Sequence, residues 1–169
     1  RGALEPALAS YRDARAQEGV GPELRADILY EEGLTLERLG RHDEAGTLLR
    51  SFISQFPADS QVGEAWFWVG EAAFHESDYG RADSAYGLAL KKLEGSRAAD
   101  ALYGKAWSRY RLADYRNALT LFTRLVAQHP KSSYAADARL RIGDCHTSLR
   151  DYSKAIATYR DVLKDNPQS

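Results

Sequence analysis

Gly33, Gly70, Ala106 and Gly143 recur along this chain at steps of 37, 36 and 37 residues. Twelve residues after each comes an alanine: Ala45, Ala82, Ala118 and Ala155. Pro57, Pro130 and Pro167 follow twelve further on, and Glu94-Gly95 fills the one slot where proline is missing. A fixed period in this range restricts the fold to a solenoid, in which each supersecondary unit buries its apolar face only against its neighbours. Stacked units of that kind present an extended surface, which favours a partner that is itself a protein.

Within each period the apolar residues recur three and four apart, in two stretches separated by a short polar turn. That pattern is the amphipathic-helix signature written twice. It predicts helix pairs at roughly 22–39 and 42–55, 61–76 and 79–93, 97–112 and 115–128, and 134–149 and 152–165. Residues 5–18 fit the second helix of an earlier unit, because Ala7, Tyr11 and Ala14 repeat the spacing of Ala82, Tyr86 and Ala89. The expected array is thus one all-α domain over 1–169, a half repeat at 5–18 followed by repeats at 22–57, 61–95, 97–130 and 134–167.

The turns carry their own chemistry. Asp78, Asp114 and Asp151 stand where a side-chain oxygen caps the amides opening a helix, and Tyr79, Tyr115 and Tyr152 follow them, placed to fold back on the pair. Proline cannot continue a helix interior, so Phe56-Pro57, His129-Pro130 and Asn166-Pro167 close their repeats. Where proline is absent, Gly95 is expected to reverse the chain through a positive φ, with an altered stacking angle between the second and third repeats.

Charge and cysteine content exclude some classes. Lys and Arg number 23 against 24 Asp and Glu, a formal net charge of −1, which argues against a broad electrostatic nucleic-acid binder. No apolar run approaches the roughly 18 residues needed to cross a bilayer, so direct membrane insertion is not expected. The single Cys145 has no intramolecular disulfide partner, a usage that suits a reducing cytosol and a periplasm equally. The chain begins at Arg1, lacks methionine, opens within half a repeat and has no polar helix after 152–165. These features are expected of a piece of a longer protein, or of open ends that pair with another copy.

The clearest unit reads Trp66, Val69, Gly70, then Ala82, Tyr86 and Ala89. It resembles the tetratricopeptide repeat pattern W-x2-L-G-x2-Y, A-x3-F, A and P. Departures are Ala106 for Gly, Glu94 for Pro, and Ala73 and Arg109 for the first-helix tyrosine, with Phe74 and Tyr110 one place later instead. The resemblance implies a right-handed α-solenoid of four helix hairpins plus a half repeat, about nine helices. A narrower likeness runs from Phe52-Ile53-Ser54-Gln55-Phe56-Pro57 into Ala65-Trp66-Phe67-Trp68-Val69-Gly70. It resembles repeats of bacterial envelope proteins such as the Tol-Pal-associated periplasmic coordinator and the outer-membrane β-barrel assembly lipoprotein. That likeness implies a periplasmic or outer-membrane setting, with the cytoplasm as the alternative.

In the family, the first helix of each pair lines a concave face. Carried onto this chain, the resemblance implies a peptide-binding groove of Asp27, Tyr30, Glu64, Phe67, Glu71, Phe74, Asp100, Tyr103, Trp107, Tyr110, Arg111 and Asp144. Leu34, Glu37, Arg38, His75, Asp137, Leu140, Thr147 and Ser148 lie beside them. Seven carboxylates against two arginines suit a peptide with apolar anchors and basic flanks. Family members that clamp a chaperone C-terminal carboxylate need lysine and asparagine where Tyr30 and Leu34 stand, so that partner does not fit.

No catalytic constellation, metal site or cofactor motif emerges. Glu71 and His75 share a helix face but lack a third ligand. Cys145 and His146 are adjacent, hence about 100° apart around a helix, and do not form a nucleophile–base pair. The expected function is a non-enzymatic interaction scaffold in an envelope complex. The alternatives are a self-associating structural segment or an accessory domain of a larger enzyme or regulator.

Overall fold

The computed structural model describes residues 2–165, and Pro167, the expected last closing proline, lies outside them. Among the described residues the chain is all-α. The elements are α1 Leu4–Ala16, α2 Pro22–Arg38, α3 His42–Gln55, α4 Val62–His75, α5 Tyr79–Ala89, α6 Gly95–Arg111, α7 Tyr115–Gln128, α8 Ala135–Ser148 and α9 Tyr152–Asp165. Two compact units divide between Lys92 and Leu93. In the first, α1 to α5 pack each on the next; in the second, α6 to α9 do the same. Helix α5 stops at Ala89, short of the expected 93, and α6 starts at Gly95, where φ is +58° as expected of that glycine.

The glycine rung makes the hairpin close. A Cβ on Gly33 would lie 2.7 Å from Leu49 Cγ, and one on Gly70 would lie 2.7 Å from Tyr86 Cε1. On Gly143 it would collide with the Tyr159 ring. The partner is therefore the bulky residue one turn beyond the alanine rung, sixteen positions after the glycine. Ala45, Ala82 and Ala118 are themselves fully buried beside it. In the third hairpin Ala106 takes the rung, with the buried Phe122 sixteen residues on. Burying a side chain of this size contributes about 1.5–3 kcal/mol.

The turn inside each hairpin has one backbone shape and four sequences. Gly40, Ser77, Ala113 and Arg150 all have positive φ, at 78°, 62°, 57° and 64°. Each amide bonds to the carbonyl three residues back, and the next amide reaches five back, as Arg41 N–H to Leu36 O at 2.9 Å and Asp78 N–H to Ala73 O at 2.9 Å. This is the Schellman stop, which glycine ordinarily supplies. Asp78 and Asp114 then cap α5 and α7, accepting from Arg81 N–H at 3.0 Å and Asn117 N–H at 3.4 Å. The proline turns also match: Phe56 sits at φ −127°, ψ 57° and His129 at φ −130°, ψ 56°.

Across the hairpin turn, residues five apart form a clasp. Phe74 meets Tyr79 edge-on at 5.2 Å, and Tyr110 meets Tyr115 at 5.3 Å. The expected fold-back of tyrosine is thus present in the second and third hairpins. In the fourth the position opposite Tyr152 is Thr147, and Tyr152 is 59% exposed. In the first the pair is polar: His42 Nδ1 lies 2.8 Å from Glu37 Oε2.

Helix α1 docks through Leu8, buried against Leu36 and Ala45, while Ala7, Tyr11 and Ala14 are only half-buried. Beside it Glu32, 2% exposed, takes Arg15 at 3.0 Å and Arg12 at 3.5 Å. Its Oε2 is within ion-pair range of Arg15 but lacks a well-aligned hydrogen bond, so this contact is electrostatic rather than directional.

Two stability changes follow. Tyr86 is held at its hydroxyl by Glu71 and buried around its ring, so it cannot yield to a new Cβ. Gly70→Ala should lose about 1–2 kcal/mol, overpacking outweighing a helix-propensity gain of about 1 kcal/mol, read as a lower urea midpoint. Ala113→Gly should gain about 0.5–1 kcal/mol by relieving the left-handed backbone, and Gly40→Ala should lose a similar amount, both read by thermal melting.

Candidate functional site

Helices α6 and α8 of the second unit bring together an aromatic shelf and a bound arginine. Tyr103, Trp107 and Tyr110 stand at i, i+4 and i+7 on α6, the spacing of one helix face, and all three are half-buried. The Trp107 ring lies edge-on to Tyr110 at 5.5 Å and to the buried Phe122 at 6.2 Å, so the core fixes its orientation from below. From α8 the Arg141 guanidinium lies 5.1 Å over the Trp107 ring. Arg141 is itself held by Asp137 at 3.0 Å and Asp144 at 2.6 Å, and the Asp137 bonds raise its pKa above the usual arginine value.

The tyrosines tie the carboxylates down further. Tyr103 stacks on Tyr134 at 4.2 Å and donates its hydroxyl to Asp137 at 2.7 Å. Burial, then that hydrogen bond, pushes the Tyr103 phenol up to about 12. Tyr159 donates to Asp144 at 2.7 Å, and Asp100 accepts from Arg97 at 2.9 Å. Arg111 is exposed at the end of α6.

In the first unit the positions divide differently. Tyr30 and Phe67 are each 6% exposed: Tyr30 packs on Phe52 at 5.5 Å, and Phe67 lies between Trp68 at 5.2 Å and Tyr86 at 5.9 Å. Their rings offer little surface. Phe74 is engaged in the clasp with Tyr79, Glu64 and Glu71 are half-buried, and Glu71 accepts the Tyr86 hydroxyl at 2.5 Å. Asp27 and His75 are exposed.

Sequence reasoning passed over Arg141, the group that pairs with two of the groove carboxylates. The signal was present, since Arg141 is four residues after Asp137 and three before Asp144, both ion-pair spacings on a helix. Glu37 on His42 and Glu71 on Tyr86 are likewise engaged by neighbouring side chains of the fold.

A family model described as tetratricopeptide repeat matches residues 2–60 and 103–169. The chain belongs to the tetratricopeptide repeat family. The matched stretches leave out 61–102, although α4 and α5 there form the same rung contact as the rest. Solved tetratricopeptide-type structures match closely in shape. MamA residues 41–end from Desulfovibrio magneticus RS-1 is 18% identical with a TM-score of 0.78, over 100% of this chain and 89% of that one. A tetratricopeptide repeat protein from Parabacteroides merdae ATCC 43184 is 21% identical with a TM-score of 0.78, over 99% and 62%. YrrB, described as a TPR protein with an unusual peptide-binding site, is 16% identical with a TM-score of 0.71, over 95% and 76%. No curated protein sequence matches the chain.

As a tetratricopeptide repeat protein, the chain has a fold that supports a protein–protein interaction scaffold. Glu71 and His75 do not converge, since Glu71 serves Tyr86 and the His75 ring stacks on His42. Glu44, at a helix start, pairs with Arg41 at 2.6 Å and Arg12 at 3.2 Å. No described helix is long and apolar enough to cross a membrane. Cys145 is fully buried, and burial pushes its thiol up to about 12. A thiol of that kind is a packing group, because the thiolate is the reactive form. Cys145 should therefore react with a disulfide reagent about a hundredfold or more slowly in the folded chain than in urea, followed by thiol release.

Proposed function

We propose that the second unit binds a peptide or helix of another protein on the α6–α8 shelf. The observation that carries this reading is Trp107: a large ring, half-buried, oriented by Phe122 below and by Arg141 above. A rigid aromatic of this kind gives contact area at low entropic cost, the property of interface hot spots. The partner has an apolar anchor that lies against Trp107 and Tyr110. Basic flanks are the second element: a cation approaching Asp137 or Asp144 shares those carboxylates with Arg141. Apolar contact therefore dominates affinity, and charge tunes it.

The resemblance of residues 52–72 to envelope repeats makes a cell-envelope complex the proposed setting. A second reading rests on α9, which exposes Ile156 at 52% and Leu163 at 56%. That apolar face suits association with another copy, and sedimentation of a monomer at all concentrations would remove it.

The test is a peptide library selected against the chain, with hits confirmed by pull-down from envelope extract. Trp107→Ala should lower the melting temperature but keep the helical circular-dichroism spectrum, and should weaken the selected ligand by about tenfold or more at a temperature where it is folded. Binding should fall only modestly as salt rises, in contrast with an electrostatically steered groove. Unchanged affinity in Trp107→Ala would overturn the placement.

A further inference from the structure

The clasp across the hairpin turn is aromatic in the second and third repeats, but in the first it is a carboxylate and an imidazole. Glu37, at the end of α2, is only 8% exposed, and His42 opens α3. Their 2.8 Å contact orients the imidazole and keeps its Nδ1 facing the carboxylate. From the next repeat His75, in the last turn of α4, lies on the other side of His42, its ring 4.2 Å away and tilted by 7°. Two of the four histidines in the chain thus meet beside a largely buried carboxylate, in the hairpin whose clasp is polar.

We propose that Glu37, His42 and His75 form a binding site for a divalent transition-metal ion of the zinc class. Each residue brings one donor atom within 4.8 Å of the other two. Two imidazoles and a carboxylate suit zinc and its neighbours, whereas magnesium and calcium take oxygen donors. The stacked arrangement is the resting state of the site. Imidazole lone pairs lie in the ring plane, so two parallel rings cannot both aim at one ion. His42 Nδ1 and Glu37 Oε2 already face each other at 2.8 Å, so an ion that displaces the proton between them takes both atoms as ligands. His75 is exposed and turns out of the stack to complete the set. Water fills the remaining positions. The bound ion then joins the first hairpin to the first helix of the second repeat, and its binding free energy adds to the stability of that junction.

The test uses the 169-residue chain, freed of any histidine tag and stripped of metal by chelator. Calorimetric titration with zinc chloride should give one ion per chain. The melting temperature should rise by about 5 °C at a hundredfold excess over Kd. Magnesium chloride should do neither. His75→Ala, at an exposed position, should keep the fold and weaken zinc binding by about tenfold or more. His42→Ala should do the same, and should that variant fail to fold, His75→Ala decides. Replacing both His129 and His146 by alanine should leave binding intact. Bound cobalt should show visible absorption in the parent chain that His75→Ala removes. No heat with zinc, undiminished binding in His75→Ala, or loss on removing His129 and His146 would each overturn the proposal.

Discussion

Every described hairpin is built on one close approach, where a first-helix residue with little or no side chain receives a bulky residue from the second helix. At Gly70 the missing methyl is the space that the Tyr86 ring occupies, and at Gly33 it is the space of Leu49. Because the contact joins positions sixteen apart, it sets the register of the two helices as well as their separation. The alanines four residues earlier follow from it: once the ring is seated, Ala45, Ala82 and Ala118 lie against the partner helix with no accessible surface. A larger side chain at either rung would pry the pair apart, and with it the packing of successive helices within each unit.

With the helices held this way, the ends of the hairpins are free to differ. The backbone stops the first helix with a left-handed residue each time, yet only Gly40 is a glycine; Ser77, Ala113 and Arg150 accept the same φ. A left-handed alanine costs about 1–2 kcal/mol, which the two Schellman bonds and the clasp beyond them must offset. The clasp then changes from Glu37–His42 to Phe74–Tyr79, Tyr110–Tyr115 and the open Thr147/Tyr152 position. The hairpin ends therefore carry variable chemistry on a constant backbone, one of them polar and two of them aromatic.

The periodicity made the helices, the closing turns at Pro57 and Pro130 and the Gly95 reversal legible, because each depends on residues close in sequence. Helices α3, α7 and α9 fall at the expected bounds, and Asp78 and Asp114 cap as their positions imply. What stayed hidden lies one repeat apart. Tyr103 bonds Asp137, 34 residues on, and His75 stacks on His42, 33 residues back. Such contacts depend on the rise and twist between successive repeats, which no local pattern encodes. The same geometry buries Tyr30 and Phe67, positions that the family pattern places on the lining of a groove. The left-handed Ser77, Ala113 and Arg150 were hidden for a different reason: their side chains carry no preference for that backbone, and the surrounding turn imposes it.

These hidden contacts change the physics proposed for recognition. A groove lined by unpaired carboxylates would draw a basic partner from a distance and lose it as salt rises. Arg141 offsets part of that field by pairing with both Asp137 and Asp144, while its guanidinium covers part of Trp107. The aspartates exceed the arginine by one charge, and Phe122 and Arg141 pack against the Trp107 ring. On the proposed reading the shelf selects by shape and apolar contact, with specificity coming from what fits beside the Trp107 ring. The ion pairs around Trp107 then act as its scaffold: they immobilise the shelf at no charge cost to an apolar ligand, and they penalise a partner whose own carboxylates would compete for Arg141.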